Sequence, residues 1–214
     1  MNKKIMFFLL ILVLIGGYSS YNHFLKTVEA IPLTNKERNI NLNPAENIQL
    51  KGSGSYKVDN ENFKPGFYDI KSLKGNVRIG NVLLSERDQY LGKQYFSNNS
   101  VSVEGNGLLQ LTPAEFKKEA LVNGTYTISN KSVIYQAGVE IESGTYTIQV
   151  NNNLKTPFYV FVDINDDDGN SVQTFDIKKS NTYTFLIKQG EVLEILNWSE
   201  NDTDLIVKLT QVKE

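Results

Sequence analysis

Side chains of one kind recur at every second position through the middle and end of this chain: Tyr126 and Ile128, then Tyr146, Ile148 and Val150. That period turns alternate residues to opposite faces of an extended backbone, and Tyr, Thr, Ile and Val suit a pleated, half-buried surface. From Ser55 onward, Gly, Asn and Pro break the alternation into short segments, as turns between strands do. One arrangement of segments occurs twice. Ser55-Tyr56-Lys57-Val58, then Phe63, then Pro65-Gly66-Phe67-Tyr68-Asp69-Ile70 returns as Ile134-Tyr135-Gln136-Ala137, then Ile141, then Ser143-Gly144-Thr145-Tyr146-Thr147-Ile148. Further on, the stretch from Val101 to Leu111 answers the stretch from Phe185 to Ile195, each reading as strand, glycine turn and strand. A shared order of blocks points to duplication.

The expected fold is therefore all-β: two tandem, related, small antiparallel β-sandwich or barrel-like units over residues 51–111 and 122–214. Units of this size bury little surface alone, so a substantial interface between them is expected. Within each, Gly66 or Gly144 lets the chain bend sharply, and alternation sends Tyr68 and Ile70, or Tyr146 and Ile148, inward. Between the units, Thr112-Pro113-Ala114-Glu115 supplies a capping hydroxyl, a proline at the first helical position and a glutamate three residues after the cap. This predicts a short helical connector over 112–121 with Phe116, Ala120 and Leu121 on its inner face, ended by Asn123-Gly124.

At the other end, eleven apolar residues from Ile5 to Ile15 follow Lys3 and Lys4. Residues 1–25 read as a signal peptide or signal anchor that keeps the amino terminus inside and sends the rest across a membrane. The apolar core has signal-peptide length. Extended through Tyr18, Tyr21 and Phe24 to Leu25, it reaches the roughly 20 residues of a membrane span. Val28-Glu29-Ala30 offers a small-residue cleavage site, well past that core. Residues 26–50, with Pro32, Pro44 and four asparagines from Asn39 to Asn47, read as a linker. The expected location is the cell membrane, single-pass with an extracytoplasmic carboxy-terminal region, or alternatively secretion.

Composition narrows function by exclusion. With no cysteine, there is no disulfide, thiolate ligand, cysteine nucleophile or lipid-modified cysteine. The one histidine, His23, lies beside the apolar segment and cannot serve a hydrolytic triad or a multi-histidine zinc site in the β units. A balance of 22 basic to 24 acidic residues gives no basic surplus for nucleic acid. No positioned nucleophile, phosphate loop or dinucleotide fingerprint is present, so an enzyme is not expected.

Two features carry candidate sites. Asp163-Ile164-Asn165-Asp166-Asp167-Asp168-Gly169-Asn170 follows an apolar strand, and Asp163, Asn165 and Asp167 match the first three ligand positions of a calcium loop. Asp168 stands where that loop requires glycine, and Thr174 where it requires glutamate; the other reading is a solvated turn between two strands. No cofactor is expected other than calcium at that loop. The second feature is aromatic: Tyr90, Tyr95, Phe96, Tyr159, Phe161, Tyr183 and Trp198 are either core or a recognition surface. Tyr90, Tyr95, Phe96 and Trp198 are the ligand-binding candidates, with Tyr90 to Phe96 expected as a loop. The expected partner is an envelope protein, a peptide or a glycan.

The blocks from Tyr56 to Tyr68 and from Tyr135 to Tyr146 resemble a β-repeat of exported proteins and lipoproteins of Gram-positive bacteria. That repeat runs tyrosine, valine, glycine, polar residue, aspartate, isoleucine, proline or small residue, glycine, tyrosine. Gly138 and Ile141 match it in the second copy, and Pro65 and Gly66 in the first. Asp59 replaces its first glycine, Ser143 its proline, and the lipoprotein cysteine is missing. The resemblance implies envelope localisation and β architecture without a set ligand. A binding or envelope-associated module is the expectation; the alternative is a structural or accessory subunit of a cell-surface complex.

Overall fold

The computed structural model describes residues 38–59, 61–129, 131–152, 156–178, 182–199 and 204–212. The apolar segment and the first part of the linker lie outside the described residues. Among those described, no helix is long and apolar enough to cross a membrane.

The fold is all-β. The first half supplies β1 (Ile48–Lys51), β2 (Gly54–Lys57), β3 (Gly66–Lys74), β4 (Val77–Ile79), β5 (Val82–Leu84), β6 (Gln89–Tyr95), β7 (Ser100–Gly105) and β8 (Leu108–Pro113). The second supplies β9 (Thr125–Ser129), β10 (Lys131–Gln136), β11 (Gly144–Asn152), β12 (Val160–Asn165), β13 (Ser171–Ile177), β14 (Thr182–Ile187), β15 (Val192–Asn197) and β16 (Leu205–Gln211). They form one eight-stranded sheet, β1-β8-β3-β6-β10-β15-β12-β13, and two four-stranded sheets, β2-β7-β4-β5 and β14-β11-β16-β9. Neighbours pair antiparallel except β6 and β10, whose short parallel ladder of Gln89, Tyr90 and Leu91 with Lys131, Ser132 and Val133 joins the halves.

The large sheet is the middle layer, and side-chain parity demonstrates it. On β10, Val133 and Tyr135 enter the second-half core while Ile134 enters the first-half core. On β15, Leu193 and Ile195 go one way and Val192 and Leu196 the other. Strands with apolar residues on both faces are buried on both faces, each such side chain stabilising by roughly 1.5–3 kcal/mol.

The repeated glycine–tyrosine block is a backbone corner. Gly66 and Gly144 hold φ of +144° and +151°, a region essentially restricted to glycine, at the start of β3 and β11. Two residues on, Tyr68 and Tyr146 are wholly buried, so each hydroxyl requires a partner. Tyr68 donates to the Lys64 carbonyl at 2.7 Å and Tyr146 to the Glu142 carbonyl at 2.9 Å, four residues upstream in both cases. The tyrosine ties the strand back to the turn that precedes it, as in the tyrosine corner of sandwich domains. Phe63 and Ile141, the apolar residues inside the turns, are buried as expected.

Three expectations are corrected. The connector over 112–121 is not a helix: Thr112 and Pro113 end β8, paired with Asp69 and Tyr68 of β3. Ala114 N–H then donates to the Phe67 carbonyl, and Phe116 takes φ +49° with its ring edge-on to Phe67. Sheet pairing and ring docking outweigh a capping signal worth only about 1 kcal/mol. Next, Ile48–Lys51, assigned to the linker, is β1 of the large sheet. Its two period-two apolar positions, Ile48 and Leu50, sit among asparagines, too short a pattern to be distinguished. Lastly, residues 90–95 are strand rather than loop. Gly66 to Ile70 on β3 spans the same ladder as Tyr95 to Tyr90 on β6, which contains one residue more. The resulting bulge hides the alternation and turns Tyr90 and Tyr95, five apart, toward one face.

Candidate functional site

β12 and β15 are neighbours in the interior of the large sheet, registered Phe161 to Leu196, Asp163 to Glu194 and Asn165 to Val192. Period two puts Tyr159, Phe161, Asp163 and Asn165 in one row, and Trp198, Leu196, Glu194 and Val192 in the row beside it. On this face a groove is bounded by the turn between β4 and β5, Ile79 to Val82, and by residues 99–102 at the start of β7. Its central part, about 470 Å³, has Phe161, Glu194, Leu196 and Trp198 as floor, and Asn81, Val82, Phe96, Asn99 and Ser102 among its walls. Tyr90 and Tyr95 line it too, so all four aromatic candidates, distant in sequence, share one cavity. The groove continues at both ends. A hollow bounded by Arg78 and Tyr159 shares Asn81 and Trp198 with it. Another, reaching Arg38, Asp163 and Asn165, shares Lys93, Phe96 and Glu194.

The rings divide by role. Tyr90 and Tyr95 are nearly all core, and burial pushes both phenols up from their ordinary range. Trp198 and Phe161 stack face to face, centroids 4.2 Å apart and planes 4° apart, with Tyr159 edge-on to Trp198 at 5.8 Å. Phe96, on the turn after β6, is 39 % exposed. The Trp198 indole nitrogen is buried with no hydrogen-bond partner among the described residues. Tyr183 lies elsewhere, stacked on Phe175 against the second-half core.

Past the rings the floor becomes acidic. Burial raises the Glu194 carboxyl above its ordinary value; Lys93 opposes the shift and Asp163, directly across the ladder, adds to it. Asp163 instead accepts hydrogen bonds from Ser171 Oγ, Thr174 Oγ1 at 2.7 Å and Asn165 Nδ2 at 3.2 Å. Asp166 organises the following turn by accepting from the backbone of Asp168 and Asn170. Asp167 lies in that turn, close to Gly190. Among the described residues, no group of three or more Asp, Glu, His or Cys side chains is arranged to hold a metal ion.

Sequence reasoning passed over Lys93 and Glu194. Glu194 did leave a signal, a lone charge in the apolar run Val192-Leu193-Glu194-Ile195-Leu196. It also passed over Arg38, whose side chain is 1 % exposed. Its guanidinium donates to the Ile134 carbonyl and the Glu140 carboxylate, both at 2.6 Å, and lies over the rings of Phe67 and Phe116, 5.2 and 4.9 Å from their centroids. Comparison with protein-family models and with curated proteins finds no match to this chain.

Proposed function

We propose that this chain is an extracytoplasmic binding module, tethered to a membrane or secreted by way of its N-terminal apolar segment, and built from two copies of one eight-stranded unit. Support for the duplication is the strand order: adding eight to every label of β1-β8-β3-β6 and β2-β7-β4-β5 yields β9-β16-β11-β14 and β10-β15-β12-β13. Two four-stranded sheets connected in that order make a jelly roll. The equivalent corners at Tyr68 and Tyr146 add to it. By this alignment Leu109-Gln110-Leu111-Thr112 corresponds to Val207-Lys208-Leu209-Thr210, one strand later than the alignment of Val101 to Leu111 with Phe185 to Ile195.

One observation carries the binding reading: rings and hydrogen-bonding side chains from both halves converge on a single groove. Mixed apolar and polar lining of this volume is what ligand sites have. Trp198 is the chain's only tryptophan, so its fluorescence reports groove occupancy. Titrating the full chain with solubilised cell-wall polymers should change that signal saturably. Phe96→Ala, which removes an exposed wall ring, should weaken the response about tenfold, equivalent to about 1.4 kcal/mol. A response that Phe96→Ala leaves unchanged, or no response at all, overturns the reading.

The alternative, an accessory subunit of a surface complex, is favoured by β13. This edge strand of the large sheet exposes Ser171, Val172, Gln173 and Thr174 without the lysine or proline that commonly guards an edge. Concentration-dependent association abolished by Val172→Lys would support it; a monomer at all concentrations would argue against self-pairing through that edge.

A further inference from the structure

We infer that the groove takes a neutral, extended, β-linked polysaccharide chain, an inference that rests on the binding reading above. Length is the first argument. The row from Tyr159 to Asn165 advances six residues, roughly 20 Å at strand rise, and the cavities over it share lining residues from end to end. A floor of two neighbouring strands paired in register from Val160 to Asn165 suits a ribbon-like polymer rather than a compact small molecule.

The chemistry of the floor separates sugar from peptide. An extended peptide gains affinity by pairing its main chain with an open sheet edge. β12 and β15 are interior strands whose backbone groups pair on both sides, with β13 and β10 as outer neighbours. They present side chains only. The stacked pair of Trp198 and Phe161, both half-buried, and the exposed Phe96 offer apolar surface to the C–H face of a pyranose ring. Asn81, Asn99 and Ser102 line the walls where ring hydroxyls would point. Charges along the groove are mixed in sign, Asp163 and Glu194 on the floor against Lys93, Arg38 and Arg78, so the lining offers no single-sign field to select a polyion.

The test titrates the full chain with cellohexaose, chitohexaose, a neutral decapeptide and a galacturonate hexamer, read by Trp198 fluorescence and calorimetry. At least one neutral hexasaccharide should bind saturably, its dimer at least tenfold more weakly, and Phe96→Ala should weaken hexamer binding about tenfold. Peptide and polyanion should not compete. Binding of the peptide or polyanion with neither neutral sugar bound overturns the inference while the groove remains a binding site. A response to solubilised wall polymers with neither hexasaccharide bound does the same. If wall polymers and all four oligomers fail to bind, both readings fall. Melting temperatures of wild type and Phe96→Ala should agree, so that lost binding reports the groove; a Phe96→Ala protein that melts far lower but still binds the hexamer at full affinity overturns the role of the ring.

Discussion

At the scale of single residues, Gly66 and Gly144 show how one conformation sits in two environments. Both hold φ near +150°, costing any L side chain about 1–3 kcal/mol. A Cβ on Gly66 would also lie 2.6 Å from Asn43 Oδ1 and 2.9 Å from the Ala45 backbone nitrogen, whereas on Gly144 it would meet only Tyr146 at 3.9 Å. Gly144→Ala should thus lose the strain alone, about 1–3 kcal/mol. Gly66→Ala should lose more, because the Asn43 side chain, which accepts from Phe67 N–H and donates to its carbonyl, must move. Denaturant unfolding of the two variants checks this, and equal losses would refute the crowding at Gly66. The glycines were legible from sequence as bends; the crowding was not, because Asn43 and Ala45 belong to a segment assigned to the linker.

At the scale of elements, the β12–β15 pair sets two carboxylates opposite one another, an arrangement that destabilises a ladder. Burial raises the folded-state pKa of Glu194 above its unfolded value near 4.5. Well below that value both states hold the proton and folding is not penalised. As pH rises through it the unfolded chain ionises freely while the folded chain resists, so stability falls until the raised pKa is passed. Glu194→Gln cannot ionise. Its melting temperature should exceed wild type at about pH 7, with the difference shrinking toward about pH 4; a constant difference across that range would contradict the cause. The segment after β8 shows the same precedence of context over local chemistry. Thr112 to Glu115 carries a sound helix signal, yet Asp69 on β3 takes the Glu115 N–H and β3 takes Thr112 and Pro113 into its ladder. Interactions with residues forty positions away do not register in a local pattern.

At the scale of the whole molecule, Arg38 fastens one half to the other where the β6–β10 ladder ends, after Leu91 and Val133. It bonds Ile134 of β10 and Glu140 of the following turn, and its guanidinium reaches the Gly92 carbonyl of β6. Arg38→Ala should lower stability by about 3–5 kcal/mol, since it strands a buried Glu140 carboxylate. Replacing the pair together, Arg38→Met with Glu140→Leu, should cost clearly less than the sum of the single changes, and a thermodynamic cycle measures the coupling. Additive losses would remove the ion pair as the cause. Period-two patterning and turn residues were enough to specify an all-β chain, its inward tyrosines and its glycine bends, because alternation and backbone permissiveness are properties of neighbours along the chain. Packing alone decided that β6 carries a bulge, that Arg38 leaves the linker for the interior, and that Tyr90, Tyr95, Phe96 and Trp198 meet in one groove with Glu194, because sheet register and burial depend on strands brought together from distant parts of the sequence.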